Sequence, residues 1–230
     1  MLAALAGGVG AARFLRGLVQ VVPPDEITVI VNTGDDDWFH GLLVCPDLDT
    51  VTYTLAGVEN PDTGWGLAGE TFAAIDALER YGLPAWFRLG DRDLATHLYR
   101  TNRMRAGASL STIAAQIASA WDVRSRLLPM SDDPVSTRID VRTRGGSVSE
   151  LHMQEWFVRD RAEPPVAAVR FDGVERVAAA PGVLEALDRA ETIVVCPSNP
   201  VISIGPILAV PGVRDALRRR QFRHRRIARL

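Results

Sequence analysis

The chain contains no lysine: all 26 of its basic residues are arginine. That absence excludes a Walker-type phosphate lysine, a lysine Schiff base and a lysine general base together. Cysteine is scarce too, with Cys45 and Cys196 each set before a proline. Two thiols are too few for a disulfide scaffold or a cysteine-based zinc site, so reduced structural thiols are expected. Aromatic residues make up 7% of the chain, and no apolar run reaches the roughly 18 residues a membrane span needs. The start, Met1-Leu2-Ala3-Ala4-Leu5, meets a glycine turn without a basic region or cleavage site. A cytoplasmic protein with no membrane partner is the expectation.

What is present suits one large globular domain or a domain with a subdomain: 230 residues, 47% hydrophobic and 23% charged. The net charge of -2 hides a segregation. Seven arginines, Arg218, Arg219, Arg220, Arg223, Arg225, Arg226 and Arg229, follow the last acid, Asp215, and the other nineteen face all 28 acids. A basic nucleic-acid arm is one reading of that tail, but no nucleic-acid partner is expected.

Strand and helix signals alternate along the chain. A short apolar strand leads into Gly7-Gly8-Val9-Gly10, and the spacing of Phe14, Leu15 and Leu18 predicts a helix over 11–19 that Pro23-Pro24 ends. Ile27 to Val31 is β-branched throughout, as a strand buried on both faces of a parallel sheet is. Thr50 to Leu55 reads as a further β-branched or apolar stretch. Helices are predicted over 70–81, 109–121 and 181–190, and Thr192-Ile193-Val194-Val195 as a buried strand. Leu127 to Phe157, with alternating runs around Gly145-Gly146, reads as a hairpin subdomain. The expected class is α/β: a Rossmann-like three-layer fold with a mostly parallel sheet and a small inserted or appended subdomain.

The glycine turn follows a strand and opens a helix, the context in which backbone amides hold a phosphate, although a tight packing turn needs glycine as well. A dinucleotide fingerprint fails on two counts. Arg13 stands where the third small residue belongs, and Asn32 ends the second strand where an acid should meet the ribose. Asn32 to Thr50 carries Asp35, Asp36, Asp37, Asp47 and Asp49, hard oxygen ligands from two loops of the kind magnesium takes beside substrate phosphates. Helix capping explains Asp37 and Asp35 as well, but explains Asp47 and Asp49 poorly, since no helix start is evident there. Arg88, Asp91, Arg92, Asp93 and His97 alternate in sign as a salt-bridged surface helix start does.

In order along the chain, Leu5-Ala6-Gly7-Gly8-Val9-Gly10, Asn32-Thr33-Gly34-Asp35-Asp36, Cys45-Pro46-Asp47-Leu48-Asp49-Thr50-Val51 and Leu89-Gly90-Asp91-Arg92-Asp93-Leu94-Ala95-Thr96-His97 form a set. Leu128 to Asp133, Gln154-Glu155-Trp156 and Pro197 to Gly205 continue it. The set resembles the 2-phospho-L-lactate transferase family of deazaflavin coenzyme biosynthesis. The resemblance covers residues 1–217. It implies attack by the ribityl hydroxyl of the deazaflavin precursor Fo on a guanosine diphosphate-linked lactyl or enolpyruvyl donor, with GMP released and magnesium required. It implies Asp35 and Asp47 on the metal, Asp49 and Arg88 on Fo, and Asp35 or Asp49 in a catalytic role. Gly7, Gly8, Gly10, Ser198, Asn199, Ser203 and Gly205 would cradle the donor. Which aspartate serves as base stays open, as do the donor and a homodimeric assembly. Residues 218–230 depart from the family and look too polar for a strand, so a family domain cut short by a frameshift or an artefact is the expectation. The rival reading is a nucleotide-sugar-binding regulator of the related gluconeogenesis-factor-like family.

Overall fold

The computed structural model describes residues 1–143, 145–223 and 227–229. A parallel sheet runs through its middle, built from β1 (Leu2–Ala6), β2 (Ile27–Val31), β5 (Arg126–Pro129), β9 (Thr192–Val195) and β10 (Ile227–Arg229), in the order β10-β9-β1-β2-β5. Strand β1 sits centrally because it is almost all alanine and leucine, with every residue from Ala3 to Ala6 fully buried. Its alternation divides the core. Ala3 and Leu5 face one side, packing with Leu187, Ile207 and Val213 of α6 (Val183–Arg189), α7 (Ile204–Ala209) and α8 (Val213–Arg223). Ala4 and Ala6 face the other, against Leu15, Val51 and Ala114 of α1 (Gly8–Leu18), α2 (Pro46–Ala56) and α5 (Leu110–Ala120). Helices thus cover both faces of a parallel sheet, the three-layer arrangement expected.

Two smaller sheets lie outside that core. β3 (Asp37–Phe39) and β4 (Leu42–Val44) form a hairpin directly after β2. β6 (Ser136–Arg142), β7 (Val148–His152) and β8 (Val166–Asp172) form an antiparallel sheet in the order β7-β6-β8. The subdomain is therefore placed differently from the sequence expectation of 127–157. Leu127 to Pro129 belong to the central sheet, and the excursion runs from Ser136 to Asp172, because β8 returns to pair with β6.

The helices fall close to their predicted spans: α3 (Ala73–Arg80), α5 from its cap at Ser109, whose hydroxyl accepts from the Thr112 amide, and α6. Helix α1 begins at Gly8, inside the glycine turn itself. Thr50 to Leu55 is helical, as part of α2. Pro46 at the first helical position and Gly57 in the left-handed conformation at the end bound that helix, and these outweigh the β propensity of its threonines and valine. The tail also departs from expectation. Helix α8 runs through Leu217 without interruption, and Ile227 to Arg229 pair in parallel with Ile193 to Val195.

Candidate active site

The loops that leave β1, β2 and β9 converge at the carboxyl edge of the sheet, beside the point where the strand order turns back across β1. They open onto a cleft of about 510 Å³. Gly7, Gly8, Val9 and Gly10 line it from β1, Asp35 from β2, and Pro197 and Asn199 from β9. Close approach explains two of the glycines. A Cβ on Gly7 would lie 2.8 Å from Asp47 Oδ2 and 2.8 Å from Ser203 Cβ, and one on Gly10 would collide with the Pro197 carbonyl oxygen.

Helix α2 delivers the second acidic loop. With Pro46 at its first position, Asp47 and Asp49 fall in its first turn, where the amide end of the helix favours carboxylates. Asp47 accepts the Gly8 amide and, at 2.9 Å, the side-chain amide of Asn32, which also donates to Asp35 Oδ2 at 3.1 Å. Asn32 is thus the tie between the two loops. Burial pushes Asp47 up to about 6. Burial, with Asp47 and Asp36 close by, raises Asp35 well above the usual carboxylate range, and Asp36 is raised by burial despite the Cys45 thiol and Arg100.

Helix α4 (Asp93–Arg105) supplies a third set of groups. Arg100, 1% exposed, bonds Asp49 Oδ1 through Nη2 and donates through Nη1 to the Leu43 carbonyl at 3.2 Å. Nη1 also lies 3.2 Å from His97 Nδ1. His97 Nε2 faces Asp93 Oδ2 at 3.3 Å, and the Tyr53 hydroxyl donates to Asp93 Oδ1 at 2.5 Å. Asp49 is raised by burial, which Arg100 and His97 oppose. Burial pushes Asp93 upward as well, but its bonds with His97 and Tyr53 hold it below the usual range. One ligand atom each from Asp49, Asp93 and His97 lie within 4.8 Å of one another, so this trio could hold a metal. The hydrogen bonding disfavours it: a guanidinium only donates, so His97 Nδ1 accepts and the ring proton sits on Nε2.

Asp35 and Asp47 fit a divalent cation better. Both line the cleft, Asp35 Oδ1 is buried without a hydrogen-bond partner, and burial raises both carboxyls above the ordinary carboxylate range, a cost that a bound cation would offset.

Of the residues singled out by sequence, Gly7, Gly8, Gly10, Asp35, Asp47, Asp49, Arg88, Asn199 and Ser203 border this one cleft. Ser198 and Gly205 do not line it. The Ser198 hydroxyl is buried without a partner, and Gly205 packs in α7 where a Cβ would meet Phe171 Cζ at 3.0 Å. Arg88 pairs with Asp76 at 2.7 Å and lies 4.7 Å over the Phe72 ring. Sequence reasoning missed the inward face of α4. His97 and Arg100 are fully buried, although the alternating signs around Asp91 read as a solvated surface. It also missed the apolar rim of Trp65, Trp86, Phe87 and Phe157 around the cleft. Both thiols behave as expected: Cys45 and Cys196 are free and buried, and burial pushes Cys196 up to about 12.

The fold is of the doubly wound α/β class, with a glycine turn and paired carboxylates at the carboxyl ends of its strands, an arrangement suited to binding nucleotides and phosphates. The sequence profile of the 2-phospho-L-lactate transferase CofD family matches residues 2–227, ten residues past Leu217, and the chain belongs to that family. It is 53% identical over 214 residues to the phosphoenolpyruvate transferase of Streptomyces griseus, covering 93% of this chain and 67% of the relative. The Mycolicibacterium smegmatis protein of the same name is 46% identical over 225 residues, covering 93% of this chain and 69% of the relative. A crystal structure of a Bacillus halodurans protein superposes with a TM-score of 0.63 at 20% identity, covering 94% of this chain and 64% of that one. The chain thus spans about two thirds of the proteins it matches. Among the described residues no helix is long and apolar enough to cross a membrane.

Proposed function

We propose that this cleft transfers a phosphoenolpyruvyl or phospholactyl group from a guanosine diphosphate-linked donor to the ribityl hydroxyl of Fo. The hydroxyl oxygen attacks the phosphorus bearing the enolpyruvyl or lactyl group, the bond to the GMP phosphate breaks, and a phosphodiester and GMP result. The observation that carries the reading is the meeting of the glycine turn, the Asp35–Asp47 pair and Asp49 in one cleft. The name shared by the relatives favours the enolpyruvyl donor.

Phosphoryl transfer needs placement and charge neutralisation more than a special nucleophile, so the absence of lysine is no handicap. Asp35 and Asp47 would hold magnesium, which when bound neutralises charge on the diphosphate. Asp49 is suited to meet the acceptor hydroxyl, since its Oδ2 is buried without a partner while Oδ1 is held by Arg100. In this reading Asp49 takes the hydroxyl proton as the bond to phosphorus forms. The aromatic rim, with Trp65, Trp86 and Phe157, suits a planar ring, and Arg88 at the same rim suits its polar edge. Asn199, Ser203 and the turn amides would bind the guanosine diphosphate portion. Magnesium and a cytoplasmic setting belong to the same proposal.

Melting in the presence of ligands separates this reading from its rival. A ligand at about 100 times its dissociation constant adds roughly 2.7 kcal/mol. Stabilisation by Fo and by GMP supports the transferase. Stabilisation by a uridine sugar nucleotide, with none by Fo or GMP, supports the regulator instead.

A further inference from the structure

Arg100 is a fully buried cation set among acids, and the transfer chemistry above makes no direct use of it. It lies on α4, and it is absent from the residues that border the cleft. Its side chain is committed on three sides: Nη2 to Asp49 Oδ1, and Nη1 to the Leu43 carbonyl and His97 Nδ1. The next residue completes the grip on the same strand, because Thr101 Oγ1 accepts the Leu43 amide at 2.9 Å. Helix α4 therefore holds both backbone groups of Leu43 in β4, and through Arg100 it holds the first turn of α2.

The consequence falls on Asp49. One carboxylate oxygen is tethered and the other has no hydrogen-bond partner, on a residue that borders the cleft. His97 Nδ1 lies 3.7 Å from that free oxygen, but Arg100 already occupies its acceptor site, so His97 has no proton there to give. Without the guanidinium, Asp49 could turn its free oxygen to the imidazole, and Asp36 would lose its nearby cation. A buried carboxylate left unpaired turns toward another donor, because desolvation of the bare charge is costly.

We infer that Arg100 is a positioning residue for the transfer: it anchors Asp49 by one oxygen and keeps the other free for the acceptor's hydroxyl. The inference rests on the transferase reading for its chemistry and on the ion-pair geometry for its structure.

Steady-state kinetics of the full chain with Arg100→Met and Arg100→Lys, alone and combined with Asp49→Asn, test it. Displacing the anchored group by about 1 Å is expected to lower kcat/KM for the acceptor by roughly 100-fold in Arg100→Met. The loss is expected in the acceptor's KM and in kcat, with the donor's KM within about twofold of wild type. Arg100→Lys, which keeps the charge but reaches fewer partners, is expected to recover part of it. In the Asp49→Asn background, Arg100→Met should cost less than about threefold more, since both changes remove one interaction. A merely structural arginine would lower kcat through fewer folded molecules, leave both KM values alone, and add its loss in full to that of Asp49→Asn. Either result overturns the inference.

A crystal structure of Arg100→Met gives a readout without turnover. Asp49 is expected to leave its present side-chain orientation, and an unmoved Asp49 overturns the inference. Absence of turnover in the unaltered chain would count against the functional reading alone, while the structure of the variant would still decide the positioning claim.

Discussion

Asp35 and Asp47 stand on different elements yet share one donor, the Asn32 side-chain amide, at 3.1 and 2.9 Å. Two buried carboxylates held this way repel each other, and neither has a cation among its closest partners. Asp35→Asn is therefore expected to raise the melting temperature in the absence of divalent cation, by about 2–4 °C for each kcal/mol of relieved repulsion in a chain of this size. Magnesium is expected to stabilise the unaltered chain, and the same variant is expected to lose that stabilisation. Differential scanning calorimetry with and without magnesium reads both effects. A lower melting temperature, or an unchanged response to magnesium, would contradict the account of the pair.

Glycines of α1 give an internal contrast. Gly10→Ala forces its new methyl onto the Pro197 carbonyl and is expected to destabilise by about 1–3 kcal/mol. Gly17, with nothing within 4 Å of its would-be Cβ, is expected to gain roughly 0.5–1 kcal/mol on replacement by alanine. Urea denaturation of both variants checks the pair. Equal gains would mean that helix propensity, not close approach, governs the turn.

Much of this site was legible in the sequence, for physical reasons that differ by residue. The glycine turn and the β-branched second strand announce themselves locally, because backbone approach and two-sided burial restrict residue type. Asp47 and Asp49 resemble loop residues because the threonines after them favour strands, whereas Pro46 is the local signal of a helix start. The burial of His97 and Arg100 is not legible in the local sequence. Their partners are Asp93, close by, and Asp49, far away in sequence, so a buried ion pair and a solvated charge run look alike until the chain is folded. The pairing of β8 with β6 across the Phe157 region is likewise a long-range fact.

Helices α3 and α4 cap each other. The Glu70 carboxylate accepts the Arg92 and Asp93 amides at 2.9 and 2.8 Å, and Asp91 accepts the Ala73 and Ala74 amides at 3.0 and 2.9 Å. Glu70→Ala is expected to destabilise by about 0.5–2 kcal/mol. Because Asp93 opens α4 and bonds His97, hydrogen exchange should quicken at the first turn of α4 before it does at α5. Unchanged exchange in α4 would show that the cap is dispensable.

His152 sets a pH response. Burial holds its imidazole below the ordinary value of 6.5, ahead of the opposing pull of Asp37 at 3.4 Å. The unfolded chain then binds the proton more readily, so the contribution of His152 to stability is complete above pH 6.5 and declines as pH falls through it. His152→Gln removes this dependence. The stability difference between the unaltered chain and His152→Gln is expected to shrink from about pH 7.5 to about pH 5.5 in denaturant titrations. A gap that widens on acidification would reverse the sign of the argument.

The central claim is that one cleft joins a guanosine-linked donor to a deazaflavin hydroxyl. Mass spectrometry of the chain incubated with Fo, the guanosine diphosphate-linked enolpyruvyl or lactyl donor and magnesium tests it most directly. The account predicts a phosphodiester of Fo and GMP in equal amounts, dependent on magnesium and sharply reduced, but measurable, in Asp49→Asn. A folded chain that yields neither product with either donor, or an Asp49→Asn variant that keeps full turnover, would contradict it.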